Sequence, residues 1–126
     1  LMNYNLEDYG IEFLSYCDFK KVQILHLNNS KITDRSMEYL SKCDFKELQR
    51  LSLSENQITD VSIEYLSKCD FKLLQILYLN KTKINQSLEY LIYCNFKMLK
   101  VLNLNETDIN DKAVEHLIKC DFKQLI

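Results

Sequence analysis

The side chains best suited to chemistry in this chain of 126 residues are five cysteines and two histidines. The cysteines recur at intervals of 26, 26, 25 and 26 residues, as Cys17, Cys43, Cys69, Cys94 and Cys120. A zinc site or a disulfide framework is typically marked by closely spaced cysteine pairs or an even number of cysteines. The spacing instead predicts a structural repeat in which buried free thiols act as small apolar residues. Reduced thiols favour an intracellular location, either cytoplasmic or nuclear.

Four acceptor patterns for N-glycosylation keep secretion open as an alternative. They begin at Asn28, Asn80, Asn85 and Asn105. Three of the four occupy the same place in the repeat, so duplication of one local sequence also explains them.

Neither histidine belongs to a recognisable catalytic or metal-binding motif. His26 falls in a predicted strand and His116 in a predicted helix about three repeats away, so they cannot share a metal ion or serve one nucleophile. The chain has no glycine-rich phosphate loop, nucleophile elbow or HExxH motif, and Gly10 is its only glycine. We therefore expect no enzymatic activity, no cofactor and no metal.

The charges indicate which partners are unsuited to this chain. The formal net charge is −2, with lysine and glutamate mixed along the chain, so we do not expect nucleic acid as a partner. Apolar runs such as 76–79 are too short to cross a bilayer, so we expect no membrane segment. Two charged columns recur beside the cysteines, and we expect them to compensate each other at the surface. Their members are Asp18, Asp44, Asp70 and Asp121, interrupted by Asn95, and Lys20, Lys46, Lys72, Lys97 and Lys123.

Repeats fill the chain, which predicts a single domain over 1–126. The domain divides into a partial unit 1–16, full units 17–42, 43–68, 69–93 and 94–119, and a partial unit 120–126. Within a unit, apolar and polar residues alternate around Leu51 and Leu53, which predicts a strand with one buried face. The segment 60–69 begins with N-cap residues and places Ile63, Leu66 and Cys69 on one helical face. The third unit lacks one residue between 84 and 88, which predicts a kink on the helix side with no loss of strand register.

The pattern L-x-x-L-x-L-x-x-N-x-I-T-D, with a cysteine that closes a unit of 26 residues, resembles the cysteine-containing class of leucine-rich repeats. That class is similar to the repeats of F-box substrate receptors and, more distantly, to ribonuclease-inhibitor proteins. The resemblance implies an α/β solenoid with a curved parallel β-sheet on the concave side and short helices on the convex side. Of the four full units, only the second has the asparagine of the pattern, at Asn56. The other three carry Ser30, Thr82 and Thr107 at the equivalent position.

Aromatic residues recur at two positions of the unit. At the first position, two places after each cysteine, the unit carries a phenylalanine, and we expect these rings to stack as a spine in the interior: Phe19, Phe45, Phe71, Phe96 and Phe122. Those in the predicted helices, Tyr39, Tyr65 and Tyr90 with Phe13 and His116 in the same place, are expected to pack between adjacent helices.

The candidate partner-binding residues lie on the strands, between the core leucines, where side chains must point to the concave face. They are Ile24, His26, Asn28, Arg50, Ser52, Ser54, Ile76, Tyr78, Asn80, Val101, Asn103 and Asn105. These positions vary from unit to unit, whereas the positions that pack against neighbouring units stay alike. This contrast favours an exposed face whose side chains do not pack in the core. Apolar, aromatic and basic side chains together suit a protein surface.

These patterns predict a non-catalytic module that binds a protein partner. Two alternatives remain open. The chain could be a structural segment of a longer array that associates with itself through uncapped ends, or the substrate-recognition part of a ubiquitin-ligase adaptor. The second alternative follows from the family resemblance alone.

Overall fold

Four short parallel strands form one sheet in the computed structural model, which describes residues 6–85, 88–120 and 122. The strands are β1 (Ile24–His26), β2 (Arg50–Ser52), β3 (Ile76–Tyr78) and β4 (Val101–Asn103), and they pair in that order. Each strand pairs with the equivalent residues of the next unit, as Leu25 with Leu51 and Leu77 with Leu102. The register between β3 and β4 is kept although the third unit is one residue short, which confirms that prediction.

Helices alternate with the strands. They are α1 (Glu7–Leu14), α2 (Asp34–Leu40), α3 (Asp60–Ser67), a 3-10 helix (Glu89–Tyr93) and α4 (Asp111–Lys119). The side chains of Thr33, Thr59 and Asn110 cap α2, α3 and α4 by accepting hydrogen bonds from backbone amides of the first turn. Each capping bond satisfies an amide that the helix itself leaves unpaired.

The third unit differs from its neighbours on the helix side. Its segment is a 3-10 helix preceded by Leu88, which makes no side-chain capping bond. One residue fewer leaves less chain for a full α-helical turn, and the tighter 3-10 geometry spans the same distance with fewer residues. The predicted kink falls partly on residues 86–87, which lie outside the described residues.

Each unit contributes leucine and isoleucine side chains to one continuous core. Leu51, Leu53 and Ile58 of the second unit are all buried, as are Ile63 and Leu66 of its helix. The aromatic spine is confirmed, with ring centroids 5.3 Å apart between Phe19 and Phe45 and 6.1, 6.2 and 6.4 Å apart at the following steps to Phe122. These separations are within the range of favourable aromatic contacts.

The turn after each strand contains a residue with left-handed backbone geometry. These residues are Asn29, Glu55, Lys81 and Glu106, with φ angles of 48°, 60°, 56° and 55°. Most side chains disfavour this conformation, and glycine usually occupies it. The solenoid therefore repeats one strained turn without glycine, held by hydrogen bonds between units such as Glu55 N to Asn80 O at 3.0 Å.

Asn56 links two units from inside the core. Its Oδ1 accepts from the amides of Ser30 at 3.0 Å and Ile32 at 3.3 Å, and its Nδ2 donates to the carbonyl of Leu27 at 2.7 Å. Thr82 and Thr107 occupy the equivalent place, but each donates to a carbonyl three residues earlier in its own unit. The shorter hydroxyl therefore serves one unit, whereas the amide bridges two.

A second ladder connects the helix starts. The carboxylate of Asp8 accepts from the amide of Thr33 at 2.8 Å, from its hydroxyl at 2.6 Å and from the hydroxyl of Ser36 at 2.6 Å. Asp34 repeats the arrangement with Thr59. Partial burial tends to raise the pKa of the Asp8 carboxyl, but the bonds from Ser36 and Thr33 outweigh it and hold that pKa below its usual value.

Candidate surface for protein binding

The sheet face that points away from the helices, called the open face below, corresponds to the predicted concave side. Alternation along the strands directs Leu25, Leu51 and Leu77 into the core and their neighbours onto this face. The candidate residues form three rows across it. The first row is Ile24, Arg50, Ile76 and Val101; the second row is His26, Ser52, Tyr78 and Asn103; the third row is Asn28, Ser54, Asn80 and Asn105.

The first row is apolar except at Arg50. Ile24 is 53% exposed, and Ile76 and Val101 are half-buried. A shallow depression of about 100 Å³ lies between Ile24, Arg50 and Ile76 and is completed by Gln49 and Gln75. This size suits one side chain of a partner better than a small-molecule ligand, since pockets for such ligands are typically several hundred Å³.

Gln49 and Gln75 were not among the predicted residues. Each precedes a strand by one position, where the repeat also places Gln23, and this recurrence was the available signal. The carbonyl of Gln49 accepts from the amides of both Gln75 and Ile76, at 2.8 and 3.1 Å. Their backbone thus fixes the strand starts beside the depression.

The second row contains a correction to the predicted surface. Ser52 is fully buried, with 0% exposure, because His26 and Tyr78 flank it in register on the neighbouring strands. Its hydroxyl has no hydrogen-bond partner in the described structure. His26, Tyr78 and Asn103 are each partly exposed, so three of the four residues in this row are accessible.

The third row is tied into the scaffold. Asn28 Oδ1 accepts from the amide of Ser54 at 3.0 Å, and the Ser54 hydroxyl donates to Asn80 Oδ1 at 2.6 Å. Ser54 is only 4% exposed, so in the free protein neither it nor Ser52 is accessible on the open face, contrary to the predicted exposure of these two residues. Small side chains between larger neighbours are covered by them even on an open face. Asn105 is exposed, and its backbone N–H donates to Asn103 Oδ1 at 2.9 Å.

The helix side carries a different surface. Tyr39, Tyr65 and Tyr90 are half-buried and pack against the core, whereas Phe13, predicted to pack between helices like them, is 72% exposed. Arg35 and Lys42 lie over the Tyr39 ring, each 5.8 Å from its centroid.

An open groove of about 350 Å³ lies between the 3-10 helix and α4. Its lining residues are Glu89, Tyr90, Ile92, Tyr93, His116 and Lys119.

The predicted compensation between the charged columns is present in two units. Lys46 Nζ lies 3.5 Å from Asp44 Oδ2, and Lys72 Nζ lies 3.6 Å from Asp70 Oδ2. Asp121 and Lys123 lie outside the described residues.

The cysteines are free thiols, but the predicted buried column is only partly correct. Cys69 is buried, Cys43, Cys94 and Cys120 are half-buried, and Cys17 is exposed. Burial raises the pKa of Cys69 to about 12 and also raises the pKa of Cys94. Since the thiolate is the reactive form, these two thiols are poorly suited to nucleophilic or redox chemistry.

The described residues also bear on metal and membrane binding. Across 6–85, 88–120 and 122, no group of three or more His, Cys, Asp or Glu side chains could hold a metal ion. Within the same ranges, every helix is too short or too polar to cross a bilayer.

Two segments of the chain, residues 47–67 and 97–117, match the family model described as Leucine Rich repeat. The first segment contains β2 and α3, and the second contains β4 and most of α4. No curated protein matches the chain. With the parallel sheet and alternating helices, the matches show the fold of an α/β leucine-rich-repeat solenoid. They do not distinguish the cysteine-containing class or a likeness to F-box and ribonuclease-inhibitor proteins, so that narrower resemblance stays a prediction. Leucine-rich repeats generally mediate protein–protein interaction and are typically non-catalytic.

Proposed function

We propose that this chain is a non-catalytic interaction module that binds a partner protein through the open face of its sheet. The observation that carries the proposal is the first row, where Ile24 and Ile76 present apolar side chains beside Arg50 on the sheet face that no helix covers. Interfaces between proteins are enriched in arginine and aromatic residues, and Tyr78 of the second row adds the aromatic side chain.

The test compares two isoleucines on opposite sides of the molecule. Ile24 lies on the open face, whereas Ile118, which is 78% exposed, lies on α4. We expect Ile24→Ser and Tyr78→Ala to weaken capture of the partner from a lysate of the producing cells about tenfold or more, while Ile118→Ser leaves capture unchanged. The captured protein is then purified and its affinity measured directly. A partner lost from Ile118→Ser but retained by Ile24→Ser would move the binding surface to the helices.

Self-association remains the second candidate, because the repeated register would let one solenoid continue onto another. Light scattering behind a sizing column, over about a hundredfold range of concentration, decides between the two. A constant mass near 15.1 kDa supports the binding module, and a mass that rises with concentration supports self-assembly.

The ligase-adaptor hypothesis and the intracellular location rest on the sequence arguments alone. We retain both as proposals. Fractionation of the producing cells checks the location, and the identity of the captured partner checks the adaptor role.

A further inference from the structure

The charges on the open face are one-sided. None of the twelve residues in the three rows is Asp or Glu, although the chain contains 18 acidic residues against 16 basic ones. Arg50 lies near the middle of the first row, and among the described residues it forms no ion pair. Lys100, at the position that Gln49 and Gln75 occupy in their units, likewise forms no ion pair within the described part of the chain. Arg50 is thus the one formally charged side chain among the twelve, and its positive charge complements an acidic group of a partner.

We infer that the open face takes an acidic peptide segment of the partner protein, with a carboxylate on Arg50 and apolar side chains against Ile24 and Ile76. This inference deepens the proposed function and rests on it. Ile24, Arg50 and Ile76 lie side by side in register on β1, β2 and β3. Since neighbouring strands lie about 4.8 Å apart, the two isoleucines are separated by about 10 Å with the guanidinium between them. The matching segment therefore presents one acidic side chain between two apolar ones on the side that contacts the sheet.

The depression beside Arg50 supports this arrangement. It is bounded by apolar Ile24 and Ile76 and by Gln49 and Gln75. A guanidinium can hold a carboxylate through two parallel hydrogen bonds, and partial exclusion of water by flanking isoleucines strengthens such a pair. Gln49 and Gln75 are neutral, so the lining of the depression brings no negative charge that competes with the carboxylate.

Ser52 provides a second group for the same ligand. It follows Arg50 by two residues on β2, so both side chains face the open side, and its buried hydroxyl has no partner in the described structure. A buried hydroxyl without a hydrogen bond is unfavourable. A small shift of His26 or Tyr78 on binding would expose it to the segment's carboxylate or backbone carbonyl. The free protein thus carries an unsatisfied donor that a ligand can satisfy.

A library of random peptides displayed on phage tests the inference while the partner is still unidentified. The baits are the full chain, Arg50→Glu, Arg50→Gln and the matched control Lys112→Glu, which makes the same reversal of charge on α4 at the far side of the sheet. Circular dichroism first confirms that each variant is folded. We expect the wild-type chain and Lys112→Glu to enrich peptides with an acidic residue between apolar ones. Arg50→Gln should lose the acidic preference, and Arg50→Glu should replace it with a basic one.

The outcomes separate this inference from the proposed function. Enriched peptides that fail to bind the Tyr78→Ala variant but show no acidic preference would overturn the inference. They would still support the open face as the binding surface. Peptides insensitive to every open-face variant would overturn the proposed function itself.

Synthetic versions of one enriched peptide then define the anion. Replacing its acidic residue with glutamine should weaken binding about tenfold, with the loss shrinking at high salt. Equal binding of the glutamine peptide, or tighter binding of a phosphoserine peptide than of the carboxylate one, would overturn the assignment.

Ser52→Ala tests the second group by opposite effects on two properties. Removing an unsatisfied buried hydroxyl should raise the melting temperature of the free chain, whereas losing a donor to the ligand should weaken binding of the same peptide several-fold. A change in melting temperature without a change in affinity would restrict Ser52 to the scaffold and overturn its role in binding.

Discussion

Replacement of Asn56 by alanine should be among the most destabilising single changes in the chain. Asn56 is 1% exposed, and its side chain bonds to two amides and three carbonyls of two consecutive units. Alanine leaves the buried amides of Ser30 and Ile32 without this acceptor, and each unsatisfied donor costs about 1–3 kcal/mol. The carbonyl of Leu27 also loses its donor. Together these losses predict a decrease of about 3–5 kcal/mol in the free energy of unfolding, against a typical total of about 5–15 kcal/mol.

Two other variants make the prediction specific. Thr82→Ala removes one hydroxyl that donates at 2.7 Å to Leu79 within its own unit, so we expect a loss of about 1 kcal/mol. Asn56→Thr introduces the residue that the third and fourth units carry at this place. Its hydroxyl can serve the carbonyl of Leu53 but not the amides of the preceding unit, so the loss should fall between those of the two alanine variants.

Urea unfolding followed by far-UV circular dichroism measures all three variants. The slope of the free energy against urea should stay the same, because the surface exposed on unfolding changes little. A loss below about 1 kcal/mol for Asn56→Ala, or one equal to that of Thr82→Ala, would refute the reasoning. Such a result would mean that Ser30 and Ile32 find other acceptors once the amide is gone.

Three further predictions concern the scaffold. At pH 8, iodoacetamide should modify exposed Cys17 well before Cys69, whose pKa burial raises to about 12; equal rates by mass spectrometry would contradict the buried placement. Because the folded-state pKa of Asp8 is lowered, its contribution to stability is present above the unfolded-state pKa and disappears as the pH falls through the folded-state value. Asp8→Asn should therefore reduce the loss of stability on acidification, and an unchanged pH profile in urea titrations would argue against the ladder. Glu106→Gly should raise the free energy of unfolding by up to about 1 kcal/mol, since φ is 55° there; destabilisation would show that the turn is unstrained.

The strands and the core were largely predictable because one pattern repeats several times. Alternation around Leu51 fixed which residues face the core, and the constant spacing of phenylalanine fixed the stacking of Phe45 on its neighbours. A parallel register one unit apart pairs leucine with leucine, whereas a slip of one residue would place polar residues opposite the leucines. The helix starts were predictable to within one residue: the segment expected to open with N-cap residues began at Asp60, and the structure places the N-cap at Thr59.

Exposure on the open face was not predictable to the same degree. Alternation assigns Ser52 and Ser54 to the correct face, but their accessibility depends on the size of the side chains across the sheet, such as Tyr78 beside Ser52. Bonds between side chains of different units were missed for a similar reason. The ladder from Asp8 to Thr33 joins residues 25 positions apart, and a single unit contains no sign of it.

Backbone hydrogen bonds and buried side chains hold the strands together, so the side chains of the open face should tolerate substitution. The third unit loses one residue and its α-helix, yet the ladder continues across it, with Lys100 N donating to Gln75 O at 2.8 Å and Leu79 N to Asn103 O at 2.9 Å. Since backbone bonds and buried leucines hold the strands, the side chains of Ile24 and Arg50 contribute little to that support. Changes to them should alter binding far more than folding, whereas a change at a buried bridging residue should do the reverse. An open face built in this way can acquire a new partner without loss of the solenoid that carries it.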